Sequence, residues 1–174
     1  MNLFYFDEVI NEYEHQLNFS PIIHRLEKQF KKNRDSKTLS TIIGCSWFYF
    51  VEGNVKKVPY NYDKEFLMRK WKEYVDIGLS DFYNNSDVCL IIAYSLNLHW
   101  FYLGKKYGNI YLDLYKRSIE LSRGSNIGKL AYYFLEHKLF SQIGNSKAVC
   151  QDLFPTESAL DMYFRQILNL VMVS

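Results

Sequence analysis

The chain has 174 residues, with 48% hydrophobic and 23% charged residues. That length and balance suit one domain with a sizeable core, and they exclude a disordered chain or a fibrous repeat. Lys and Arg total 21 against 19 Asp and Glu, a formal charge of +2, well short of the basic balance expected of a nucleic-acid-binding domain.

In chain order, Phe6, Val9, Ile10, Tyr13 and Leu17 share one face of an opening amphipathic helix. Residues 1 to 18 hold Asp7, Glu8, Glu12 and Glu14 and no Lys or Arg, a formal −4. Ser20 before Pro21 reads as a helix start, with Ile22, Ile23, Leu26 and Phe30 as its apolar stripe. Over residues 24 to 37 the charge inverts. Six cations, Arg25, Lys28, Lys31, Lys32, Arg34 and Lys37, face two acids, Glu27 and Asp35. Solvated faces of two neighbouring helices explain both runs most simply.

Ser36 to Phe50 is rich in β-branched and aromatic residues; its length favours a buried helix, with a strand as the alternative. Residues 51 to 62 combine Gly, Asn and Pro and read as a connecting loop. It separates an N-terminal helical part from a C-terminal bundle. Asp63 suits the cap of a long helix to about Tyr83, striped by Phe66, Leu67, Trp71, Tyr74, Val75 and Gly78. Val88 to Leu103 is apolar nearly all round and reads as a fully enclosed helix. Further stripes start at Ile110 and Ile127, with Gly124 and Gly144 as stops. A short helix is expected over Lys147 to Leu153, and after Pro155 a last one runs from Thr156 through Ala159, Leu160, Phe164 and Leu168. The expected fold is all-α: a single domain, 1–174, of stacked antiparallel helical hairpins with repeat-like packing. No consensus recurs at fixed period.

Catalytic and ligand signatures are sparse. Cys45, Cys89 and Cys150 have no Cys-x-x-Cys spacing, and His15, His24, His99 and His137 stand far apart, so no metal and no disulfide framework is expected. His99 reads as a buried histidine bonded to a neighbour. No phosphate-cradling glycine loop or nucleophile elbow occurs, so neither a cofactor nor an enzymatic activity is expected. The amino terminus lacks a secretory signature and no apolar run reaches about 20 residues, which implies a cytoplasmic protein without a membrane span. Direct nucleic-acid binding through residues 25 to 37 is a minor alternative, and the oligomeric state stays open.

The stretch from Trp71 to Phe82 (WKEYVDIGLSDF), followed by Ile91 to Tyr102 (IIAYSLNLHWFY), resembles the helical immunity proteins of bacterial contact-dependent growth inhibition systems. There a helix ending in a Gly-Leu step precedes a hydrophobic helix of this type. The likeness spans residues 63 to 140, about half the chain, and its motifs are core-forming. It implies a cytoplasmic protein that binds and neutralises a toxin domain, often a nuclease acting on transfer RNA. The family's toxin-contacting residues have no motif here, and the formal +2 departs from the acidic character common among inhibitors of basic nucleases. A local acidic surface is then required. Asp7, Glu8, Glu12, Glu14 and Asp63, with the aromatics Tyr60 and Tyr62, are the partner-binding candidates, because charge speeds encounter and aromatic anchors supply affinity. The competing reading is a tetratricopeptide-like adaptor that binds a peptide.

Overall fold

A computed structural model describes residues 2–16, 18–52, 63–136 and 146–170. Within them the chain forms nine α-helices, one 3₁₀ turn and no strand: α1 (Glu8–His15), α2 (Phe19–Asn33), α3 (Ser36–Glu52), α4 (Lys64–Asp81), α5 (Ser86–Leu103), the 3₁₀ turn Lys105–Tyr107, α6 (Ile110–Leu121), α7 (Asn126–Glu136), α8 (Ser146–Leu153) and α9 (Ala159–Leu170). The all-α expectation holds.

Helix starts follow side-chain capping chemistry. Asp7 accepts from the Ile10 amide at 3.0 Å, Asp63 from Phe66 at 2.8 Å, and Asn85 from both Asp87 and Val88 at 3.1 Å. Each satisfies amides that the first helical turn leaves without a partner. Asp35 does the same for α3 through the Thr38 amide at 2.8 Å. At α2 the start differs from the Ser-Pro expectation: the helix begins at Phe19 after Asn18, two residues ahead of a start at Pro21 capped by Ser20, so Ser20 and Pro21 lie inside its first turn. Likewise α9 begins at Ala159, because Thr156 and Ser158 are used as its cap: Ser158 Oγ accepts from the Asp161 amide at 3.1 Å.

Residues 36–50 form a helix and no strand. Leu39, Ile42, Ile43, Cys45, Trp47, Phe48, Tyr49 and Phe50 are all buried, because α3 is enclosed by α2, α4, α5 and α9. Enclosure on every side removes the polar stripe that would have revealed its period. Against it, α5 packs between α3, α4, α6 and α7. Successive long helices run antiparallel: Lys64 at the start of α4 lies over the Phe50 ring at the end of α3, and Ser118 late in α6 donates to the Ser86 carbonyl at the start of α5. Gly78 permits the close approach of α4 to α5, since a Cβ there would stand 2.6 Å from Ile92 Cδ1.

One hydrophobic cluster runs through residues of every helix. At its centre Trp47 is enclosed by the rings of Tyr94, Tyr163 and His99, with centroids 5.4, 5.6 and 5.9 Å away. Trp71, also fully buried, donates from Nε1 to Ser95 Oγ at 3.2 Å and so joins α4 to α5. No helix among the described residues is long and apolar enough to cross a membrane.

Candidate partner-binding surfaces

The four N-terminal acids offered as a local acidic surface sit in different settings. Glu8 and Glu12 are exposed on α1. Asp7 is consumed locally: besides capping α1, its Oδ2 accepts from Arg25 Nε at 3.0 Å, Arg25 Nη2 at 2.6 Å and Tyr5 Oη at 3.3 Å. Partial burial pushes the Asp7 carboxyl up, but Arg25 and the Ile10 amide outweigh it and hold the group below the usual carboxylate value. Glu14 points inward at 9% exposure. The Tyr49 hydroxyl donates to one of its oxygens, and the Ala159 amide, the first of α9, donates to the other at 2.9 Å. Glu14 therefore caps a helix from across the fold. A signal for this exists in the sequence, since Glu14 follows Ile10 by four residues and shares its inner face.

Asp63 is exposed where it caps α4. Tyr60 and Tyr62 lie outside the described residues, as do Leu17, His137, Leu139 and Gly144.

The last turns of α5 depart from the enclosed helix that their composition suggests. His99 has φ −141° and ψ 19°, which kinks α5. Apolar side chains emerge on either side of it: Leu98, just before the kink, is 42% exposed, and Phe101 and Tyr102, just after it, are 55% and 43% exposed. These rings rest on a firm base. Tyr102 packs edge-on against buried Phe50 with centroids 4.8 Å apart, and Phe101 lies 4.5 Å from Tyr102. The kink residue is itself held, because Trp47 Nε1 donates to His99 Nδ1 at 3.0 Å. That bond makes Nδ1 the acceptor and leaves a neutral ring's proton on Nε2. Burial pulls the His99 pKa down, favouring that neutral ring. Composition alone hid this surface, although Asn97 and His99 are the polar breaks that mark where α5 turns outward.

Inside, the titratable groups are engaged in structure. Glu14 and Asp161 are both buried carboxylates, and burial raises the pKa of each. Asp161 accepts from the Thr156 amide at 2.8 Å and the Thr156 hydroxyl at 2.7 Å. Glu27 is handled differently. Burial pushes it up, yet Lys70 at 2.6 Å, the Tyr74 hydroxyl at 3.0 Å and His24 at 3.2 Å prevail and hold it low. All three cysteines are buried, and burial raises their thiols, Cys89 and Cys150 to about 11. A thiol held protonated is a poor nucleophile at neutral pH. Among the described residues no three His, Cys, Asp or Glu side chains are grouped to hold a metal ion. Comparison with protein-family models, curated proteins and solved structures gave no match.

Proposed function

We propose that the chain works by binding another protein, and that it is an immunity protein that neutralises a toxin domain in the cytoplasm without catalysing a reaction. The observation that carries the binding reading is the exposed pair Phe101 and Tyr102, packed on each other and on Phe50. Large rings half exposed to water on a rigid, kinked helix end have the chemistry of interface anchors, which are enriched in aromatic residues and preorganised by packing beneath them. Glu8 and Glu12 add exposed negative charge for steering. The buried thiols and the structurally engaged carboxylates fit a scaffold role for the interior.

The immunity reading adds the likeness of residues 63–140, whose Trp71 and Tyr94 lie in the core as scaffold residues would. A nuclease acting on transfer RNA is the toxin type that this likeness implies. The test is co-expression with the carboxy-terminal domain of the product of the adjacent upstream reading frame. Protection of cells from that domain, and co-purification of the two chains, is the expected result. Growth arrest with no complex recovered would end the immunity reading.

A further inference from the structure

We propose that the face of α2 bearing Arg25, Lys28 and Lys32 is a second docking surface, and that its occupant is an acidic stretch of a protein partner. The inference rests on the reading that the chain binds a protein, not on the identity of that protein. An open cleft of about 440 Å³ lies here between α2 and the chain entering α1, lined by Tyr5, Arg25, Lys28, Gln29, Lys32 and Asn33. Tyr5 forms its wall and is anchored by its own amide, which donates to Thr41 Oγ1 at 2.7 Å. The three cations recur at positions i, i+3 and i+7, which places them along one side of α2 over about 10 Å.

One end of the cleft already displays the chemistry proposed for the rest. A carboxylate, that of Asp7, sits on Arg25 through two nitrogens and takes the Tyr5 hydroxyl as well. Lys28 and Lys32 are exposed beyond it and form no ion pair among the described residues, in contrast to Arg34, which pairs with Asp81. Further carboxylates laid along α2 from the Asp7 position would meet these two ammonium groups in turn.

The surroundings favour a bounded acidic segment over a nucleic-acid backbone. Immediately after Asp7 the chain presents exposed Glu8, and Glu12 follows one turn later on α1, which packs against α2. A long, uninterrupted polyanion extended past Arg25 would run into them, whereas a protein surface of mixed charge can match a basic strip and an acidic one together.

The experiment measures fluorescence anisotropy of a short labelled peptide of alternating glutamate and serine, at low and at physiological ionic strength, against the full chain. Binding that weakens with salt, and that falls about tenfold or more in the Lys28→Glu, Lys32→Glu double variant, is expected. The control pair Lys116→Glu, Lys129→Glu makes the same net charge change on α6 and α7 and should retain most of the binding. No measurable binding, or an equal loss in the control pair, would overturn the proposal. So would tighter binding of a single-stranded RNA of matched charge through the same two lysines. Because the probe is a synthetic peptide, failure here leaves the co-expression result standing, and failure there leaves this one standing.

Discussion

Replacing Trp47 with alanine tests the packing on which the aromatic face rests. The indole is 1% exposed and is ringed by Tyr94, Tyr163 and His99. An enclosed tryptophan withdraws roughly 150–250 Å² from water, which corresponds to about 4–6 kcal/mol at ~25 cal/mol/Å². Truncation to alanine keeps the Cβ but leaves a cavity, so a loss of about 3–5 kcal/mol is expected from packing. The bond from Nε1 to His99 Nδ1 adds about 1 kcal/mol. It adds little more, because half-buried His99 can turn to water. The total, about 4–6 kcal/mol, would lower the urea midpoint by about 2–3 M at a denaturant slope near 2 kcal/mol/M. Far-UV circular dichroism during urea titration reads it. Trp47→Phe, which keeps most of the ring but not the N–H, should cost only about 2 kcal/mol. A loss below about 1.5 kcal/mol for the alanine variant would refute the enclosed position of this ring and, with it, the rigid base proposed under Tyr102.

Other consequences follow from particular contacts. Glu14 and Asp161 have raised carboxyl pKa values in the fold, so the folded chain holds their protons more tightly than the unfolded chain does. Their contribution is unfavourable at neutral pH and is relieved as pH falls through the folded values toward the unfolded ones. The Glu14→Gln, Asp161→Asn variant should therefore lose this acid-side relief relative to the parent as pH is lowered from neutral toward the ordinary carboxylate values of 4.5 and 3.8, and identical pH slopes in urea titrations would contradict the burial. Taking the difference from the parent cancels His99, whose lowered pKa works in the opposite direction. Lys70→Met strands the buried Glu27 carboxylate and should cost about 2–4 kcal/mol in the same assay, most of it recovered by adding Glu27→Gln. Gly78→Ala should cost about 1–3 kcal/mol by forcing Ile92 aside, and a neutral or higher melting temperature would show that α4 and α5 can separate freely.

What was legible in the sequence depended on contrast between faces. Helix α4 alternates buried Phe66, Trp71, Tyr74 and Gly78 with charged residues, so its period stands out. Helix α3 has no such contrast, because neighbours cover both sides, and composition alone left helix and strand open. The acidic run at the amino terminus misled in the opposite way. Charge marks Asp7, Glu8, Glu12 and Glu14 as a local acidic surface, but Asp7 is tied to Arg25 and Glu14 caps α9 from 145 positions away in the chain. Such a tertiary cap carries no local pattern beyond the shared face with Ile10. The exposed end of α5 was hidden for a related reason: hydrophobicity reports what could be buried, and the kink at His99 determines what is. The lysines of α2 were visible from the start, whereas the cleft beside them requires Tyr5 to be folded back along the helix.

The central claim is that the α5 rings anchor a partner, and affinity for the co-expressed toxin domain measures it most directly. Phe101→Ala and Tyr102→Ala, made together and titrated against that domain by calorimetry, should weaken binding by at least about 30-fold, or about 2 kcal/mol, while the melting temperature stays close to that of the parent. An unchanged dissociation constant in a fully folded variant would contradict the claim.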